Sequence, residues 1–467
     1  MRTTRTMRWA LVVVSLGAWA AGQDNSGQQP ATTPAPAFGQ NAPILNPDNP
    51  PVSSLDEPGL ELHTASRSFI APALQLSQSA DTNVGNQVGT SNVRGITRFL
   101  GALDLQRFWP KSDFRAEYLG GGALYSRDTS VRQIQALGVE AVTRWRTGQG
   151  TLRDSFSYLP EGAFSLGFGD PGLGLAGGRM GVGAGLPGFH TGNGSIGLAP
   201  RLENSAILDI VQSVNPRSAI SVAGGFSNAH FYDNTLDLIN SDQTTVQAGY
   251  SHLLNRRDQI AGVYGFQLFR FPQGTGGQLQ NQIFNLRWSH TITGRMSLIA
   301  GAGPQHTVLQ FPGAPDITHW SANGRVRLRY RLARTSLVAA YEKYTSSGSG
   351  FFAGADTQRA HFSVRRELGR TLELLADLGY SHNKSLQSLT GFGAAGNHYN
   401  EGFAGAILRK HIGRAYDVFV VYRFAEIGFD NADPFCVLGG VGACGHTSQR
   451  HAGTVGVEWH PTPIRIE

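Results

Sequence analysis

The sequence predicts an all-β fold: an antiparallel, up-and-down transmembrane β-barrel of about eighteen strands, with sixteen as the alternative count. Three observations predict it. From near residue 94 to the C-terminus, segments of about 10–15 residues alternate apolar with polar side chains. The breaks between them are alternately tight and long, as they are when strands turn sharply at one rim and loop widely at the other. Finally, 60 glycines and only 15% charged residues in 467 suit a barrel better than a helical enzyme. A mean hydropathy of −0.20 does not oppose this, because every second residue of a spanning strand faces a polar lumen.

In chain order, residues 1–22 read as a secretory signal peptide. Arg2, Arg5 and Arg8 form a basic start, an apolar run from Ala10 to Ala20 follows, and small residues there set cleavage after Ala20 or Gly22. A run of about 11 residues is too short to span a bilayer, which argues against a membrane anchor. Residues 23–68, rich in Pro, Gln, Asn and Thr and without periodicity, form a disordered linker unable to bury enough apolar surface to order itself. A periplasmic partner could be met there, although no residue pattern specifies one.

Residues 69–467 are the barrel. Its predicted strands are 70–80, 94–108, 113–126, 133–146, 151–164, 204–214, 219–232, 244–254, 259–271, 281–292, 296–309, 318–332, 336–345, 358–367, 371–382, 399–411, 415–429 and 450–459. Tight turns are expected at Trp109-Pro110-Lys111, Thr147–Gly150, Asn215-Pro216-Arg217, Asn255–Asp258, Thr293-Gly294-Arg295, Ala333–Thr335, Leu368–Arg370 and Ile412–Arg414. A propeller blade has a period like that of these arginine-bearing turns, but no blade signature recurs and the strands are long for blades.

The clearest face is on 318–332. Val326, Leu328, Tyr330 and Leu332 share one side, and Arg325, Arg327, Arg329 and Arg331 share the other. A charge at bilayer mid-depth costs roughly 2–4 kcal/mol, so the arginines are expected in the lumen. Arg365 belongs to a similar polar face, and Glu373 and Asp377 to another. Two readings of the arginine row stand together. One is an anion-attracting pore wall; the other is an internal ladder pairing with Glu342, Glu373 and Asp377. Aromatics near strand ends (Trp109, Trp145, Tyr158, Phe231, Tyr232, Phe269, Phe271, Trp320, Phe429, Trp459) are expected in interfacial girdles.

Other chemistries find little support. Cys436 and Cys444, eight positions apart in one loop of an exported chain, read most simply as a disulfide. With His446 and His451 they match no zinc spacing, so no metal is expected. The glycine-rich segment 165–200 lacks the Gly-Lys-Ser/Thr of a phosphate loop; it is an extracellular loop, either folded inward as a constriction or exposed. No serine motif or paired acidic signature frames the strand histidines, so neither an enzyme nor a cofactor is expected. The formal charge of +6 is spread over turns and strand faces, which does not favour nucleic acid.

Several segments carry a resemblance: Thr293-Gly294-Arg295-Met296, Ala300-Gly301-Ala302-Gly303, Leu378-Gly379-Tyr380-Ser381-His382 and Val455-Gly456-Val457-Glu458-Trp459. Together they resemble the outer-membrane β-barrel and porin-like proteins of Gram-negative bacteria over about residues 70–467. The resemblance implies a barrel held in outer-membrane lipid after handling by the barrel-assembly machinery, and passive or weakly selective passage of small polar solutes or ions. The alternative is a structural part or terminal outlet of a polysaccharide or secretion export system. Such barrels commonly end on an aromatic residue, whereas this chain continues past Trp459 to Glu467. Either Trp459 serves that purpose or the last residues add a short periplasmic tail.

Overall fold

The computed structural model describes residues 68–84, 93–126, 131–159, 200–232, 238–272, 277–313, 315–348, 352–386, 398–429 and 447–466. The expected signal peptide, nearly all of the linker, the glycine-rich segment as far as residue 199, Cys436 and Cys444 lie outside these residues. The barrel belongs to one compact unit, residues 37–467. Its strands are β1 (Phe69–Asp81), β2 (Arg94–Phe108), β3 (Ser112–Tyr125), β4 (Val131–Trp145), β5 (Gly148–Leu159), β6 (Arg201–Asn215), β7 (Ser218–Phe231), β8 (Ser241–Leu253), β9 (Asp258–Arg270), β10 (Gln278–Thr293), β11 (Met296–Gln310), β12 (Ile317–Arg331), β13 (Thr335–Ser346), β14 (Ala355–Glu367), β15 (Leu372–Ser385), β16 (His398–Ile412), β17 (Tyr416–Phe429), β18 (Thr447–Trp459) and a two-residue β19 (Ile464–Arg465).

Every long strand pairs antiparallel with its neighbours in sequence, and β18 returns to β1, so the sheet has no free edge. The eighteen long strands run 12 to 16 residues. At about 3.3 Å per residue and a tilt near 40°, 12 residues rise about 30 Å, the thickness of a bilayer's hydrocarbon core.

The recurring turn signature has a local cause. Asn215 Oδ1 accepts the Arg217 amide at 2.8 Å, Asn255 Oδ1 that of Arg257 at 2.7 Å, and Thr293 Oγ1 that of Arg295 at 3.2 Å. Each side chain closes a turn on the amide two residues ahead, which is why Asn or Thr precedes these arginines at fixed spacing. One expected turn is shorter than its glycines suggest. Gly148, Gln149 and Gly150 belong to β5, and only Arg146 and Thr147 make the bend. The Trp145 ring lies over Gly148, where a Cβ would come within 2.6 Å of it, so the glycine serves ring packing rather than chain reversal.

The outer wall is apolar. Phe99, Leu208, Val246, Leu286, Leu378, Val420 and Val455 stand exposed on it in alternation with inward polar residues. The girdle expectation divides. Trp109, Trp145, Tyr232, Trp320 and Trp459 are exposed, but Phe231, Phe269 and Phe271 are buried. Apolar side chains also occupy the inner face, where Leu375, Ile407, Phe419 and Val421 form a cluster across β15–β17. A neighbouring strand makes room for one of them: a Cβ on Gly456 would lie 2.2 Å from the Phe419 ring.

The seam between β1 and β18 carries eight register pairs against thirteen between β1 and β2. Arg450 spans it to Asp81, with Nε to Oδ2 at 2.9 Å and Nη2 to Oδ2 at 2.6 Å, both side chains 2% exposed. Ser79 and Thr454 hydroxyls bond across it at 2.8 Å. The C-terminal residues do not form a loose tail. Pro461 and Pro463 interrupt the ladder because proline has no amide proton to donate; the chain then returns to β1 as β19, pairing Ile464 with Ile70 and Arg465 with Phe69.

Candidate functional site

The inner wall carries the charge, and its alternation fixes which residues reach it. On β12, odd-numbered positions face inward, so Asn323, Arg325, Arg327, Arg329 and Arg331 form one row while Val326 is exposed to the outside. Burial falls along that row. Arg325 is 7% exposed, Arg327 and Arg329 are half-buried, and Arg331 is exposed at the tight-turn rim.

Register explains the gradient. Arg325 lies opposite Glu342 on β13, and its Nε reaches Glu342 Oε1 at 3.0 Å. Arg327 and Arg329 face Ala340 and Val338 on β13, and Ile299 and Ser297 on β11. Those directly opposed neighbours are small or apolar. Arg287 on β10 and Arg365 on β14 are also half-buried on the inner face.

The ladder reading needs correction in its partners. Glu342 pairs with the row as expected, but Glu373 is held by other arginines, Arg365 Nε at 2.5 Å and Arg409 Nη1 at 3.2 Å. Asp377 shares a register row with Arg329 through Val338 and Ser363. Glu373 and Asp377 are both buried on the inner face.

Nine strands away in a ring of eighteen, β2–β4 form the facing wall. There Asp104, Asp113, Glu117 and Glu140 are half-buried and each sits beside an arginine: Asp113 meets Arg144 at 2.5 Å, Glu140 meets Arg153 at 3.1 Å, and Asp104 and Glu117 meet Arg115. Arg153 also bonds Asp209 at 2.9 Å. All these inward cations are arginines, whose planar fork can serve two carboxylates at once.

A second feature sits at the rim of long connections. The segment joining β13 to β14 folds inward, and its described residues are Ser347, Gly348 and Phe352–Gly354. Gly354 donates to Ser347 O at 3.1 Å and accepts from the Leu386 amide at 3.2 Å. Ala353 packs with Phe269, Phe271, Leu279 and Leu309 on β9–β11 and their ends, while Phe352 packs with Ala355 and Tyr399, its ring 5.6 Å from that of Tyr399. The segment therefore ties the inner walls of β9–β11 and β16 together across the mouth. Gly348 and Gly354 take φ of +86° and +97°, a region that favours glycine, and a Cβ on Gly354 would come 2.5 Å from Leu279. The strap was not foreseen. Its signal was the Phe351-Phe352 pair set among glycines in an otherwise polar stretch.

A closed barrel with an apolar skin and a charged interior is the architecture of an outer-membrane β-barrel protein. No family model and no curated protein matches the chain. Among solved structures it is similar to Pseudomonas aeruginosa OccK5 (OpdH), at 14% identity and a TM-score of 0.40 over 86% of this chain and 99% of that one. It is also similar to Acinetobacter baumannii OccAB3, at 11% identity and 0.41 over 84% and 99%, and to Pseudomonas aeruginosa OprD, at 11% and 0.40 over 86% and 98%. Likenesses of this size leave the solute to be read from the barrel's own walls.

Proposed function

We propose that the barrel is an outer-membrane channel passing small polar solutes and ions passively, with a preference for anions. One observation carries this reading. Within β10–β14 the inner face holds seven arginines (Arg287, Arg325, Arg327, Arg329, Arg331, Arg359 and Arg365) against two carboxylates, Glu342 and, at the tight-turn rim, Glu367. The half-buried and exposed members of that set are the ones solutes meet. Fixed positive charge on a wall lowers the barrier for an entering anion.

In this reading the two sets of inward charge have separate tasks. Arg325 with Glu342, and Arg365 and Arg409 with Glu373, stiffen the wall, whereas Arg327, Arg329 and Arg331 line the path. Lipid packs against the outer wall, and the barrel-assembly machinery meets the C-terminal strand at the seam. Liposome swelling tests the reading: vesicles bearing the barrel should take up a small organic anion faster than a neutral solute of equal size. Equal rates, or no uptake of either, would oppose it.

A further inference from the structure

The four lysines of the chain are Lys111, Lys343, Lys384 and Lys410. Two of them, Lys343 and Lys384, lie on the outer face of β13–β15 near the rim of long connections, with polar neighbours arranged in rows. Register places Lys343 opposite Gln358, Gln358 opposite His382, and His382 opposite Asn400. The next row towards the rim places Asp356 opposite Lys384 and Lys384 opposite His398. Directly beneath come Tyr341, Ala360 and Tyr380, and then Phe362 and Leu378 of the apolar wall.

The hydrogen bonds give this patch a polarity. Asn400 Oδ1 accepts from the Tyr380 hydroxyl at 2.9 Å and lies 2.7 Å from His382 Nδ1. Gln358 Oε1 accepts from the Tyr341 hydroxyl at 3.2 Å. Both amides thus have their acceptor oxygen engaged from below, which turns their N–H groups outward. Lys384 is exposed beside His398, and the His382 and His398 rings are 5.2 Å apart. Two carboxylates adjoin: Asp356 lies 3.5 Å from Lys343 Nζ, and Glu426 on β17 accepts from Gln449 at 2.6 Å. The surface between them presents donors.

We propose that this patch binds the phosphate group of a lipid in the surrounding leaflet. Continuity with the apolar wall selects a lipid over a soluble anion, because an acyl chain below the headgroup lies against Tyr380, Phe362 and Leu378. Lysine suits the task as a compact charge on an apolar stem that runs along the wall to headgroup level. The proposal rests on the membrane reading of the barrel.

The test uses the full barrel reconstituted in phosphatidylcholine vesicles containing a minor fraction of phosphatidic acid, followed by mild extraction and native mass spectrometry of retained lipid. Flotation with the vesicles and unchanged heat-dependent gel mobility establish insertion and folding. The native chain should retain phosphatidic acid in preference to phosphatidylcholine. Lys343→Gln with Lys384→Gln should weaken that preference about thirtyfold, the worth of two lysines at a charged surface at about 1 kcal/mol each. Tyr380→Phe, which frees the Asn400 amide to turn, should weaken it less, and Lys410→Gln at the opposite rim should leave it unchanged. Failure to float would overturn the membrane reading together with the patch. A floating barrel without the preference, equal retention by the double variant, or full displacement by soluble glycerol phosphate would overturn the patch alone.

Discussion

Removing the carboxylate of Asp81 should open the barrel's seam. Its partner Arg450 is 2% exposed and bonded to it through Nε and Nη2, and Asp81 Oδ1 also accepts the Asn83 amide at 3.0 Å. Asp81→Ala therefore strands a buried guanidinium and an amide together. Breaking such a pair from one side costs about 3–5 kcal/mol, since the remaining charge stays desolvated. Arg450→Ala should cost a similar amount. The double change Asp81→Leu with Arg450→Met should return most of the loss, because no charge is then left behind. Equilibrium urea unfolding in vesicles, followed by tryptophan fluorescence, compares the native chain with the three variants. Single-variant losses below 1 kcal/mol, or a double variant as weak as the sum of the singles, would refute the seam argument.

Three further outcomes follow from other parts of the wall. Phe352→Ala should loosen the inward strap and raise single-channel conductance, at a cost in stability of up to about 3–5 kcal/mol read as a lowered urea midpoint. Gly456→Val should force the Phe419 ring from its place and cost about 1–3 kcal/mol of stability in the same urea assay. Asn255→Ala removes the acceptor for the Arg257 and Asp258 amides and should lower stability by about 1 kcal/mol, read as a shifted urea midpoint at constant slope.

The strand count and nearly every strand's position were legible in the sequence because the period-two pattern and the turn residues act locally. Asn215, Asn255 and Thr293 mark their turns by bonding the backbone two residues on, which a single sequence displays directly. Features set by distant strands were not legible. Phe231 and Phe269 resemble girdle aromatics in composition, yet strand parity turns them inward. Glu373 could be assigned to the β12 arginines only by guessing register, and register gives it to Arg365 and Arg409 instead. The strap depends on Ala353 meeting Leu279, a contact between residues far apart in sequence. The two-residue β19 escaped notice because its prolines read as a chain end, whereas β1 had unpaired edge left to offer it.

The most direct test of the account is the reversal potential of the full barrel in a planar bilayer under asymmetric chloride salt. The account predicts steady channels with a reversal potential directed by chloride, shifting towards the cation when Arg327→Glu and Arg329→Glu are combined. A cation-directed potential in the native chain, or one that the double variant leaves unmoved, would contradict the claim that these arginines line the path.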